Sequence, residues 1–171
     1  MKRKLLTKFC IIASIITISF AGCKGDNSNK QQSDDTSINE NEENKRLTPE
    51  EYKEKINEIY TSIQTEIESA ATNLNSTDLI TSNNARKALS EKLKPIYEQL
   101  TVLNAPEYYT EAQEKIKVGA ETAIEALNLS IQMINLGTEV TTEQQAELTA
   151  QMDNLIEKMK VLNEGISMIP E

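Results

Sequence analysis

Between residues 47 and 169 large aliphatic side chains recur at spacings of three and four, and this regularity excludes most folds. The first run is Tyr52, Ile56, Ile59, Ile63, Ile67, Ala70 and Leu74, and the second is Leu89, Leu93, Ile96, Leu100 and Leu103. The third is Tyr109, Ala112, Ile116, Ala120, Ala123, Leu127, Ile131 and Ile134, and the fourth is Leu148, Met152, Leu155, Met159 and Leu162. An α-helix completes a turn in 3.6 residues, so each run falls on one helical face, whereas a strand would need alternation at period two. No segment reads as a strand, and the expected class is all-α.

Local chemistry sets the expected helix ends. Leu47-Thr48-Pro49-Glu50-Glu51-Tyr52 places a capping hydroxyl, a proline at the first helical position and a glutamate that closes a capping box, with Leu47 able to staple onto Tyr52. This helix is expected to end near Asn73 to Asn75. Residues 76–84 read as a loop with a short helical turn. Pro95 lies inside the second run, where a proline removes one backbone bond and crowds the carbonyl four residues back, so a kink or break is expected near Glu91. The third helix opens at Pro106 with Gly137 as its C-cap, and the fourth is capped by Thr141 or Thr142 and stops before Gly165.

Four amphipathic helices joined by short polar loops are best buried as an antiparallel up-down-up-down four-helix bundle over residues 47–169. A three-helix bundle with a broken second element is the alternative. Both phenylalanines precede residue 22 and there is no tryptophan, so the core is expected to be aliphatic with tyrosine at its margins.

The N-terminus follows different rules. Lys2, Arg3, Lys4 and Lys8 precede an uncharged run from Phe9 to Phe20, the basic and apolar regions of an export signal. At the helical rise the run covers about 18 Å, well short of the roughly 30 Å hydrocarbon core that a spanning helix crosses. Next stands Phe20-Ala21-Gly22-Cys23, which resembles the bacterial lipobox, with Phe20 where leucine is usual. The resemblance implies cleavage between Gly22 and Cys23 and lipidation of Cys23, so residues 1–22 are expected to be a signal peptide. Residues 24–46 hold a single large apolar side chain, Ile38, and cannot bury enough surface to offset their conformational entropy. They are expected to form a disordered tether whose root-mean-square span is about 25 to 30 Å.

Lipobox, polar tether and a bundle with the helix start Leu103-Asn104-Ala105-Pro106-Glu107-Tyr108-Tyr109 together resemble the small helical-bundle lipoproteins of low-GC Gram-positive bacteria. The resemblance implies an all-α domain on the outer face of the cell membrane, held by its N-terminal lipid, and brings no catalytic residues with it. The chain after Cys23 carries 14 basic side chains against 27 acidic ones. That charge argues against nucleic acid as a partner and against docking on anionic lipid headgroups; an envelope protein or peptide is the partner class carried forward.

Chemistry-bearing residues are sparse. Histidine is absent, which removes the commonest general base and transition-metal ligand. Cys10 leaves with the signal and Cys23 takes the lipid, so no free thiol is expected. No serine stands in a glycine-rich elbow or a Ser-x-x-Lys spacing. Glu111, Glu114, Glu121 and Glu125 lie off the apolar stripe and read as a solvated face. Met152, Met159 and Met168 read as core, and no catalytic, metal or cofactor site is expected.

Three residues are candidates for interaction. Tyr52, Tyr97, Tyr108 and Tyr109 fall at one pole of the expected bundle, with Tyr52 and Tyr109 on the stripes and Tyr97 and Tyr108 one position off, so these last two are expected to be partly exposed. Arg86 continues the second stripe backwards and is expected to snorkel, a buried anion site being the alternative. A non-catalytic interaction module is the expected function; an enzyme or cation-binding carrier is the other class.

Overall fold

A computed structural model of the chain describes residues 46–137 and 140–170. Among the described residues all regular structure is helical. The helices are α1 Pro49–Leu74, α2 Leu79–Thr101, α3 Thr110–Leu136, α4 Thr142–Lys158 and α5 Lys160–Ser167. A 3-10 turn, Glu107–Tyr109, leads into α3.

The start of α1 is capped as its sequence requires. Thr48 Oγ1 accepts from Glu51 N at 3.2 Å, and Glu51 Oε2 accepts from Thr48 N at 2.8 Å. The reciprocal pair satisfies two donors that have no partner inside the helix. Thr141 and Gln144 form the same box on α4. At the other end of α3, Gly137 takes φ 59°, a conformation that a side chain would disfavour.

Three expected boundaries are corrected. Helix α2 starts at Leu79 and absorbs most of the segment read as a loop. Its cap is Asp78, whose carboxylate accepts from Thr81 Oγ1 at 2.5 Å, Thr81 N at 3.0 Å and Ile80 N at 3.4 Å; the Thr81 hydroxyl first, then these backbone bonds, hold this carboxyl below the usual carboxylate range. Helix α2 also runs through Pro95 without a break. Both Pro95 and Glu91 lie on its exposed side, where water can satisfy the carbonyl that the proline leaves without a donor. The alternative with a broken second element is thereby set aside. The fourth helix, by contrast, is interrupted at Met159 and resumes as α5, which carries Gly165 in its interior and ends at Ser167.

Helix α1 packs against α2, α2 against α3, and α3 against both α4 and α5. Polar contacts fix the directions. Ser82 Oγ donates to the Leu74 carbonyl at 3.0 Å, joining the end of α1 to the start of α2. At the other pole Tyr52 Oη donates to Gln113 Oε1 at 2.6 Å, and Gln113 Nε2 donates to the Leu100 carbonyl at 2.8 Å. The start of α1, the end of α2 and the start of α3 therefore share a pole. Helix α5 ends there too, since Lys115 of α3 pairs with Glu164.

The core is aliphatic, with Ile56, Ile63, Leu93, Leu100, Ile116, Leu127, Met152, Met159 and Leu162 all buried. Met168, expected in it, is exposed because α5 has ended one residue earlier. Tyrosines go deeper than the margins, since Tyr60 of α1 and Tyr97 of α2 are buried. The ion pairs Lys92–Glu66 and Lys160–Glu157 lie at the surface, where screening leaves them little to contribute. Apolar burial holds the domain together.

Helices α3 and α5 approach each other closely at two glycines. A Cβ on Gly119 would stand 2.6 Å from Leu162 Cα and 2.7 Å from Leu162 N, and a Cβ on Gly165 would stand 2.7 Å from the Ala112 carbonyl oxygen. Two helices approach this closely only where a side chain is missing at the crossing. Gly165 is therefore a packing residue and not the stop signal expected of it.

Candidate functional site

The pole where residues 46–48 enter the domain gathers most of the aromatic side chains. Leu47 N donates to the Asn104 carbonyl at 2.9 Å, so the entering chain is bonded to the loop between α2 and α3. Arg46 Nη1 lies 3.9 Å from Glu107 Oε2 in the same loop. Pro106 cannot donate a backbone bond and precedes the 3-10 turn, which Tyr109 N closes on the Pro106 carbonyl at 2.9 Å. That turn leaves Tyr108 at the surface and Tyr109 buried.

Tyr109 points inward and stacks on Tyr52, with centroids 5.5 Å apart and planes at 23°. Tyr108 meets the Tyr109 ring edge-on, at 5.2 Å and 72°. Both geometries are favoured for aromatic pairs. A chain of three rings thus runs from core to surface, and its last member, Tyr108, is 82% exposed. Burial, with Tyr109 as a lesser cause, pushes the Tyr52 hydroxyl well above the ordinary tyrosine value.

Of the candidate interaction residues, Tyr108 is the exposed one. Tyr97 is a correction: it is 1% exposed, not partly exposed. Its place one step off the stripe turns it toward Tyr60, whose hydroxyl is raised by burial and by the neighbouring Tyr97. Arg86 is a second correction, being buried at 6% exposure where snorkelling was expected. Its Nη1 donates to Asn83 Oδ1 at 3.2 Å, one turn earlier on the same helix. Gly22 and Cys23 lie outside the described residues.

Tyr97 Oη and Ser90 Oγ are buried, and no described residue forms a hydrogen bond with either. A buried hydroxyl without a partner forfeits its hydration, so its removal is stabilising. Tyr97→Phe is expected to raise unfolding stability by about 1 kcal/mol in urea denaturation. The pH dependence has a definite sign. Burial holds the Tyr97 pKa above the unfolded value of 10.0, so its contribution is fully present below about pH 10 and is lost as pH rises through the folded value. Tyr97→Phe should therefore also blunt the alkaline loss of stability.

Among the described residues no group of three or more cysteine, aspartate or glutamate side chains could hold a metal ion. No described helix is long and apolar enough to cross a membrane. The chain matches no protein-family model, no curated protein and no solved structure. Its functional reading therefore rests on its own residues.

Sequence reasoning missed Tyr60 and the glycine crossing, although both left signals. Tyr60 follows Ile56 by four residues and precedes Ile63 by three, which widens the α1 stripe by one position. Ala112, Gly119, Ala120, Ala123 and Ala126 form a run of small residues along the buried side of α3, the pattern of a close helix approach.

Proposed function

We propose that this protein is a lipoprotein on the extracytoplasmic face of the cell membrane, anchored through Cys23 and carrying its helical domain as a non-catalytic interaction module. The observation that carries the reading is Phe20-Ala21-Gly22-Cys23 placed directly behind a basic and then apolar run. Cleavage before Cys23 leaves that residue at the N-terminus, and two or more acyl chains on it anchor stably where one is marginal. Residues 24–46 then act as a polar tether between lipid and domain. The domain itself is read as an antiparallel up-down-up-down four-helix bundle, with α4 and α5 as one interrupted fourth helix. The shared pole of α1, α2, α3 and α5 supports that topology.

The non-catalytic reading is supported by the lack of histidine and, beyond residue 23, of cysteine. With Tyr97 and Arg86 buried, Tyr108 remains as the interaction residue, presented at the pole nearest the anchor. Such a module fits the resemblance to small helical-bundle lipoproteins of low-GC Gram-positive bacteria.

Anchoring is tested by metabolic labelling with a fatty acid in a Gram-positive host. The wild-type chain should take the label and stay with the membrane fraction. Cys23→Ala should lose the label and either appear in the medium or persist as uncut precursor. Equal labelling of the two proteins would overturn the reading.

A further inference from the structure

We infer that α4 is a hinged strap, which lifts from α3 between joints at Gly137 and Met159 while α5 stays clamped in place. The inference is independent of the anchoring of Cys23. Three observations carry it: how little α4 buries, where it is interrupted, and how firmly the helix after it is held.

Burial sets α4 apart from the other helices. Met152 is the one buried residue among its 17, whereas α5 buries Leu162, Gly165 and Ile166 within 8. Leu148, Leu155 and Ile156 of α4 reach the core only in part, and the helix packs chiefly against α3. Apolar burial is what holds a helix to its domain, so the helix with the least of it opens at the lowest cost.

Both ends of α4 are built as joints. Gly137 ends α3 in the left-handed region, and a Cβ there would meet nothing within 4 Å, so the chain turns in open space. Thr141 and Gln144 then cap α4 from within its own first turn, which satisfies two donors at its start without help from another helix. At the far end, Leu162 N donates to the Met159 carbonyl, three residues back, at 3.0 Å. Such a bond inside a helical run tightens the turn and is characteristic of a hinge. The Lys160–Glu157 ion pair that spans this joint is exposed, so solvent screening leaves it little power to stiffen it.

Helix α5 is held where α4 is not. Gly119 of α3 lies against the Leu162 backbone, and Gly165 of α5 lies against the Ala112 carbonyl and Ile116, so the two helices interlock at successive turns. Lys115 and Glu164 pair across the same contact. From the Gly119–Leu162 crossing, Leu129 lies as many residues along α3 as Met152 lies back along the fourth helix. Both helices rise by about 1.5 Å per residue and run antiparallel, so Leu129 and Met152 stand at one level. Both are buried. The closed strap thus withholds Leu129 from solvent, and lifting it uncovers that face of α3.

Hydrogen exchange of the full-length protein, followed by mass spectrometry of its peptides, reads the opening. A lifted helix of this length is marginal in water, so its amides exchange once it leaves α3. Peptides from residues 142–158 should exchange together, and about 100-fold or more faster than those from α3 or α5. Met152→Ala should speed exchange in α4 by about ten-fold or more and leave α5 unchanged. Uncovering is read by thiol labelling of Leu129→Cys beside Ala120→Cys, a buried position next to the Gly119 crossing, with the label located by mass spectrometry. Position 129 should react and position 120 should resist. Labelling at 129 no faster than at 120, or α4 peptides that exchange no faster than those of α3 or in step with those of α5, would refute the strap.

Discussion

Leu127→Pro is expected to unfold the helical domain. Leu127 is buried near the middle of α3, the helix that packs against α2, α4 and α5. An interior proline costs about 3 kcal/mol in backbone terms, and emptying a buried leucine site adds roughly 2 to 5 kcal/mol. Together these rival the about 5 to 15 kcal/mol by which a domain is stable. Circular dichroism should show most of the helical signal lost and no cooperative thermal transition. The natural Pro95 is the counter-example that defines the mechanism, because it sits on the exposed side of α2 and is tolerated there. A Leu127→Pro protein that melts like the wild type would mean that α3 is not the central element described.

The second large effect is expected at Gly119. Any side chain there meets Leu162, and two of the obstructing atoms, Cα at 2.6 Å and N at 2.7 Å, are backbone. Backbone cannot rotate away, so α5 must move off α3 and open the contact around Met159 and Leu162. Overpacking of this kind costs typically 1 to 3 kcal/mol and sometimes more. Gly119→Val, which adds a branched side chain, should lie at the upper end and lower the melting temperature by roughly 10 °C. Leu162→Ala should not rescue it, because the obstruction is the Leu162 backbone and Cβ. Rescue by that second substitution would show that the outer part of the leucine side chain was the obstacle.

Most of the fold was legible because its determinants are local. The Thr48 and Thr141 caps, the φ of Gly137 and the apolar stripes all act within one or two turns, and the structure follows them. Errors arose where polar residues do the work of apolar ones. Ser82 and Arg86 extend the buried face of α2 backwards, yet a search for aliphatic spacing stops at Leu89, so the first turns of α2 read as loop. Pro95 was given the cost of an interior proline without regard to the side it faces. Gly165 was read as a terminator because a glycine after a run of leucines has that role more often than a packing one.

The candidate site was legible in part. The gathering of Tyr52, Tyr108 and Tyr109 at the entry pole follows from alternating helix directions alone, and the exposure of Tyr108 follows from its place off the stripe. The same argument failed for Tyr97. Helix α2 is covered by α1 on one side and α3 on another, so its buried face is wider than one stripe and takes in the neighbouring position. Arg86 was misjudged for the same reason, since a residue near a helix start is close to water only if the helix before it ends early, and α1 extends to Leu74.

Anchoring as proposed requires Cys23 to become the lipid-bearing N-terminus of the mature protein. Mass spectrometry of the protein purified from membranes of a Gram-positive host tests it most directly. The expected N-terminal peptide begins at Cys23 and carries the mass of a diacylglyceryl thioether. An N-terminus at any other residue, or an unmodified Cys23 in the membrane-bound protein, would contradict it.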